Sequence, residues 1–288
     1  TRRSRGPTPS AISRESDTWR SVRRAPRPRG NRLAPDKGAD GNSLAMAPPL
    51  LLVWDFDWSL INENSDTYVL KLDASGALRS AIEQRLDDGA EWTPLMDWLL
   101  GELHASGVRP AALTDALGEM PVLAGALDAV KCASSLGVEQ RILSDANSVY
   151  ISTILAARGI SDCFTAVETN PAWFDGDGRL HVRPHQGDAS AHGCPHCPPN
   201  LCKGRVLQRW LDGMGDCNVA YVGDGGGDFC PATRLRAGDV LLARRAPHDG
   251  LLARVRECAD EVAATVVEWD AEDEGAALAA ALRDFASV

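Results

Sequence analysis

Leu50-Leu51-Leu52-Val53-Trp54-Asp55-Phe56-Asp57-Trp58-Ser59-Leu60 decides how this chain reads. Five apolar residues, Leu50 to Trp54, run without interruption into two aspartates with one residue between them. Such a run, stopping abruptly at carboxylates, fits a buried parallel strand that ends in a site. In open α/β sheets ligands gather outside the carboxyl ends of the strands. Two carboxylates as close as Asp55 and Asp57 repel unless a cation sits between them or one is protonated. Mg2+ suits the pair, because it takes one or two carboxylates and fills its shell with water and phosphate oxygens. Taken alone, the stretch also fits an ordinary strand-end turn, so the rest of the chain has to decide.

The 288 residues allow one large domain or two modest ones, and 44% hydrophobic residues supply a sizeable core. A formal net charge of −10 argues against a chain built chiefly to coat nucleic acid. The charge is uneven. Residues 1–45 carry 11 Lys/Arg against 4 Asp/Glu, a net of +7, and the remainder carries 19 against 36, a net of −17. The basic segment 1–45 is rich in Arg, Ser, Pro and Gly and lacks hydrophobic periodicity, so it reads as disordered. Its composition fits an organelle transit peptide. An upstream extension with Met46 as the true start, and a nucleic-acid-binding arm, are the competing readings. No apolar run approaches the roughly 20 residues of a membrane span. Eight scattered cysteines are too dilute for a disulfide-built scaffold. A reduced, cytoplasmic setting follows, or an organellar one if 1–45 is a transit peptide. Oligomeric state is not legible.

Residues 63–120 read as a helical insertion after the first strand. Leu78, Ile82 and Leu86, then Trp92, Leu95, Met96, Leu99, Leu100 and Leu103, recur at helical spacing. From Pro121 the pattern alternates. Helices are expected over Leu123–Ser135, Val149–Arg158 and Lys203–Leu211, and from Glu272. Strands are expected over Gln140–Leu143, Phe164–Thr169, Val219–Val222, Val240–Ala243 and Ala264–Trp269. His181–Pro184 is expected to pair with Phe164–Thr169 as a hairpin across Asp175–Gly178. The alternation implies an α/β fold with a doubly wound parallel sheet. Residues 46–62 and 121–288 would form the core, with 63–120 inserted.

Three further positions carry polar groups. Ser144 follows Arg141-Ile142-Leu143, Lys203 sits at a helix start, and Asp224 and Asp228 bracket a triple glycine after an apolar strand. In a parallel sheet such strand ends converge on one edge. The residue types fit phosphoryl chemistry. A metal and a lysine neutralise the phosphate charge. A carboxylate can attack to give an aspartyl-phosphate. A second carboxylic acid can protonate the leaving oxygen and then deprotonate water. Ser144 can donate to a phosphoryl oxygen, Asp224 can complete the metal site, and Gly225, Gly226 and Gly227 allow a tight turn.

In this order the motifs resemble the haloacid dehalogenase (HAD) superfamily of phosphatases over about residues 50–245. Asp55-Phe56-Asp57, Glu63-Asn64-Ser65-Asp66, Ser144-Asp145-Ala146-Asn147, Thr169-Asn170-Pro171, Cys197-Pro198-Pro199-Asn200-Leu201-Cys202-Lys203 and Gly223-Asp224-Gly225 are similar to the phosphoethanolamine/phosphocholine phosphatase family. That group includes relatives acting on pyridoxal phosphate, thiamine phosphate or pyrophosphate. The resemblance implies a HAD-like Rossmannoid core with a small helical cap, Mg2+ as cofactor and a small phosphate ester as substrate. It implies Asp55 as nucleophile and Asp57 as acid/base. Asp55, the backbone carbonyl of Asp57 and Asp224 would hold the metal. Ser144 and Lys203 would hold the phosphoryl group, and Asp228 would support Lys203 or the metal's water shell. Asp66 and Asp145 would face the substrate's head group. Two positions depart from the family pattern: Trp58, where a smaller or polar residue is usual, and Ser59, where Thr is usual.

Cys194, Cys197 and Cys202, with His192 and His196 nearby, fit three readings: a structural Zn2+ site short of a second complete pair, a local disulfide or oxidation-sensitive thiols, or inert loop cysteines. Trp92, Met96 and Trp98 read as packing rather than an aromatic cage. His104, His181 and His185 read as surface or hairpin residues, and Asp270–Glu274 as a solvated helix start. The rival from another class is a catalytically silent HAD-fold binding protein.

Overall fold

The computed structural model of the chain describes residues 48–187 and 192–287. The readings of residues 1–45 and of Met46 lie outside the described residues. β1 (Leu50–Trp54) is followed by four helices, α1 (Ser65–Tyr68), α2 (Leu78–Asp87), α3 (Trp92–Ala105) and α4 (Pro110–Gly118). Then come α5 (Ala124–Ser135), β2 (Glu139–Asn147), α6 (Ser148–Ala157), β3 (Ala166–Asn170), and the short strands β4 (Ala172–Phe174) and β5 (Leu180–Val182). α7 (Lys203–Met214), β6 (Asn218–Gly223), α8 (Phe229–Ala232), β7 (Val240–Arg244), α9 (Gly250–Glu257), β8 (Thr265–Trp269) and α10 (Ala276–Ala286) follow.

Six strands form one parallel sheet in the order β3-β2-β1-β6-β7-β8. β1 is central because both of its faces are apolar. Leu51 and Val53 pack with Val219, Tyr221, Leu241 and Leu207 on one face. Leu52 and Trp54 pack with Ala220, Val222, Leu242 and Val130 on the other. Burying each such leucine or valine stabilises by about 1.5–3 kcal/mol relative to leaving it exposed. The winding reverses between β1 and β6. That is a switch point where open α/β sheets leave a crevice. The second apolar cluster runs on into the helical stretch through Leu95, Leu99 and Leu103 of α3 and Leu113 and Leu117 of α4.

Two expectations are corrected. β5 pairs antiparallel with β4, not with the Phe164–Thr169 segment, whose strand β3 joins the main sheet beside β2. The parallel partner wins because Leu143 and Ile142 of β2 offer a long buried edge. The helix expected from Glu272 starts at Ala276. Asp273 explains the delay, since its carboxylate accepts from the N–H groups of Gly275, Ala276 and Ala277, each at 3.0 Å. The β4–β5 hairpin packs on α3, where Arg179 Nη2 meets Asp97 Oδ2 at 2.8 Å and the Val182 N–H donates to Asp97 Oδ1 at 3.1 Å. His181 and His185 brace this region through Asp175 (2.9 Å) and Glu168 (2.6 Å), and His104 meets the Asp177 carbonyl at 3.2 Å. Among the described residues no helix is long and apolar enough to cross a membrane.

Candidate active site

Asp55 is the first residue beyond β1. Its N–H donates to the Val222 carbonyl of β6 at 2.9 Å, so the sheet's hydrogen bonding continues one residue past the strand and fixes it. Trp54 stands opposite Ile142 of β2 and Val222 of β6, which brings Ser144 and Asp224 to the same sheet end. Lys203, the first residue of α7, reaches this end from the side. Its Nζ donates to Asp55 Oδ1 at 2.7 Å and to Asp228 Oδ1 at 2.9 Å, and lies 3.6 Å from Asp145 Oδ2. Lys203, Asp55, Asp224 and Asp228 are all buried. One carboxylate oxygen from each of Asp55, Asp224 and Asp228 falls within 4.8 Å of the others.

Asp228 is fully engaged. Tyr221 OH donates to its Oδ1 at 2.7 Å, and the N–H groups of Asp224 and Gly225 donate to its Oδ2 at 3.2 and 3.1 Å. It therefore anchors the loop and Lys203. The glycine this requires is Gly223, where an added Cβ would lie 2.7 Å from the Asp228 carboxyl carbon. Gly225, expected to supply a tight turn, keeps φ at −95°. Ser59 Oγ stands 3.5 Å from Asp224 Oδ1, at the outer limit of a hydrogen bond. Asp57 points to the start of α1, accepting from the Ser65 N–H (3.1 Å) and Oγ (3.2 Å). Asp66 lies next along α1 and accepts from Trp92 Nε1 at 2.7 Å. Asp145 is half-buried and accepts from Asn200 Nδ2 at 2.8 Å, while Asn170 Nδ2 donates to its backbone carbonyl at 2.6 Å. Ser144 is buried and its Oγ accepts from the Ala146 N–H at 3.1 Å.

The charges follow from this crowding. Burial, then Asp228, raises the Asp55 carboxyl to about 7 against the pull of Lys203. Burial and then Asp66 hold Asp57 well above the usual carboxylate range despite the two bonds from Ser65. Burial raises Asp66 to about 6. Asp224 is pushed well up by burial, Asp55 and Asp228. Burial works against the Lys203 charge, yet Asp228 and Asp55 keep it firmly protonated. One ammonium among Asp55, Asp145, Asp224 and Asp228 leaves surplus negative charge on hard oxygen donors. That donor set fits Mg2+.

Several partners were not read from the sequence. Tyr221 looked like one more apolar strand residue. Trp92 packs, as its place in the apolar pattern predicts, but its indole N–H carries no signal in a hydrophobicity pattern. Met96 and Trp98 do pack, Trp98 under Arg85 at 4.0 Å. Trp58 takes φ of 56°, a left-handed value rare for a bulky residue. Its carbonyl accepts from Arg244, and its ring stacks on His248 with centroids 3.6 Å apart. Cys194, Cys197 and Cys202 do come together, and a fourth cysteine, Cys230, joins them.

Solved structures share this architecture. A HAD family hydrolase from Salmonella enterica serovar Typhi superposes with a TM-score of 0.53 at 14% identity, covering 82% of this chain and 72% of that one. The fold is that of the HAD hydrolases. Among curated relatives, inorganic pyrophosphatase 2 of Arabidopsis thaliana is 36% identical over 68% of this chain and 71% of its own length. The thiamine phosphate phosphatase-like protein of the same plant is 33% identical over 78% and 91%. Pyridoxal phosphate phosphatase PHOSPHO2 of Rattus norvegicus is 33% identical over 76% and 92%. The chain is thus a phosphoric monoester hydrolase. Residues 50–282 match the family described as "Putative Phosphatase", and the chain belongs to that family.

Proposed function

We propose that the chain hydrolyses a small phosphomonoester through an aspartyl-phosphate on Asp55, with Mg2+ as cofactor. The buried Lys203, joined to both Asp55 and Asp228 at the end of the central strand, carries this reading. Asp55 attacks phosphorus and the leaving oxygen departs with the proton of Asp57, whose carboxyl burial and Asp66 favour in its protonated form. Asp57 then takes a proton from the water that opens the aspartyl-phosphate, releasing phosphate and restoring Asp55. Ser144 and Lys203 hold phosphoryl oxygens, and Asp228 positions Lys203. Asp55, the backbone carbonyl of Asp57 and Asp224 would hold Mg2+, which when bound supplies neutralisation of the phosphoryl charge. Residues 46–62 and 121–288 form the core in this scheme. Residues 63–120 form a cap that excludes water when closed.

Asp66 and Asp145 face the substrate's leaving group, and an ammonium-bearing one offsets their charge. Phosphoethanolamine or phosphocholine is therefore the favoured substrate. The names of the relatives favour a second reading, pyridoxal phosphate, thiamine phosphate or pyrophosphate. Thiamine phosphate carries a cationic ring and suits the same carboxylates. Pyrophosphate, anionic throughout, suits them least. Measuring kcat/KM for these esters and for pyrophosphate, with Mg2+ and with EDTA, tests the proposal. Activity lost in EDTA and restored by Mg2+ is expected. No turnover of any ester or of pyrophosphate in the presence of Mg2+ would return the chain to the silent binding protein.

The carboxylates give a sharper result. At an effective dielectric of about 20, one ammonium–carboxylate contact at 4 Å is worth at most about 4 kcal/mol before desolvation. Asp145→Asn lowers kcat/KM for the amine ester about 10- to 100-fold more than for an ester with a neutral leaving group. Asp66→Asn acts in the same direction and more weakly, because its other role is to hold Trp92. Equal losses on both esters would make the two aspartates structural.

A further inference from the structure

The geometry points to a second, structural metal centre: Cys194, Cys197, Cys202 and Cys230 form a tetrathiolate Zn2+ site that fixes Lys203 against Asp228. The four sulfurs come from three separate places in the chain. Cys194 and Cys197 lie in a Cys-x2-Cys turn, Cys202 caps α7, and Cys230 sits in α8. All four Sγ atoms fall within 4.8 Å of one another, with Cys194 to Cys230 at 3.5 Å and Cys202 to Cys230 at 4.0 Å. A tetrahedron with Zn–S bonds of about 2.3 Å has edges of about 3.8 Å, so these separations already suit one shared ion. A disulfide would instead draw two sulfurs to about 2.05 Å and leave the other two aside.

Cys202 stands at the N-terminus of α7, where the helix dipole favours negative charge. Gly204 makes room, since an added Cβ would lie 2.4 Å from Cys230 Sγ. Cys197, Cys202 and Cys230 are buried, and Cys194 is half-buried. The described residues between β5 and α7 contain no helix or strand. A long connection of that kind gains its order from cross-links rather than from a backbone ladder.

The centre has a consequence for the neighbouring site. Cys202 directly precedes Lys203, and Cys230 follows Asp228 by two residues. One ion bound to both segments sets the distance between Lys203 Nζ and Asp228 Oδ1, now 2.9 Å. Zn2+ supplies no chemistry here. All four of its positions are filled by sulfur, with none left for water or substrate.

Elemental analysis of the purified chain, with no zinc added after lysis, is the test. One zinc per chain is expected, along with resistance of these four thiols to alkylation until a chelator is added under denaturing conditions. Co2+ in its place gives the intense visible bands of a tetrahedral tetrathiolate. Cys230→Ser lowers zinc content about tenfold, and Cys194→Ser, at the half-buried position, does the same if the first variant fails to fold. Cys132→Ser, on α5 and outside the cluster, keeps its zinc. Folded wild-type chain without zinc and with four reactive thiols would overturn the proposal. So would iron in its place, or a Cys194–Cys230 disulfide found by mass spectrometry without reductant.

Discussion

Asp55→Asn lowers turnover by about 10⁴-fold or more and leaves the chain folded, because an amide cannot form the aspartyl-phosphate. The fold survives for a specific reason. Lys203 keeps Asp228 as a partner at 2.9 Å when the Asp55 charge is removed, and the mutual repulsion of Asp55, Asp224 and Asp228 falls. The measurement pairs single-turnover kinetics with a thermal melt. A phosphorylated protein, trapped by acid quench from wild type and missing in the variant, would place the covalent step on this residue. Near-normal activity in a folded variant would remove Asp55 from the role of nucleophile.

Lys203→Met has the opposite balance, damaging both stability and rate. Its ammonium lies within hydrogen-bond reach of Asp55 and Asp228, which are buried with it. Removing one partner of a buried ion pair typically costs about 3–5 kcal/mol, since the buried charge left behind has lost its counter-charge. The Asp55 carboxyl responds by holding its proton. Asp55, already raised to about 7 with Lys203 present, moves further up without it. The nucleophile is then protonated at neutral pH, so kcat falls by about 10³-fold and partly recovers as pH rises. A urea titration at fixed Mg2+ and a pH–rate profile test the two halves separately. A stable variant whose activity loss is independent of pH would mean that Lys203 contacts only substrate and does not tune Asp55.

The central part of this site was legible because strand ends announce themselves. β1 and β6 are apolar runs that stop at Asp55 and Asp224, and the structure brings both to one sheet end. Groups that act across elements were silent. Cys230 lies 28 residues beyond Cys202, too far for a spacing pattern to join them. Tyr221 contributes a hydroxyl from within a strand, and Trp92 an N–H from within an apolar helix face. The misplaced hairpin has a related cause. Phe164–Thr169 carries a strand's composition, but nothing in it tells a partner twelve residues further on from one in the main sheet. At the last helix, the charge of Asp273 predicts a solvated position, whereas its carboxylate accepts from three backbone N–H groups.

The sheet order also dictates a timetable. β1 pairs on one side with Glu139–Ile142 and on the other with Asn218–Val222, so the middle of the sheet joins segments made far apart during synthesis. When the ribosome has delivered β3, the half-sheet β3-β2-β1 can already form, with one edge of its most apolar strand still bare. An exposed, apolar edge is a template for wrong pairing. Non-local strand contacts of this kind form slowly. The interval until residue 218 emerges is therefore the period of greatest aggregation risk for the nascent chain. A chain truncated before β6 would keep Asp55 and Lys203 but lack the strand that covers that edge. It should collect in inclusion bodies rather than persist as a half-built enzyme.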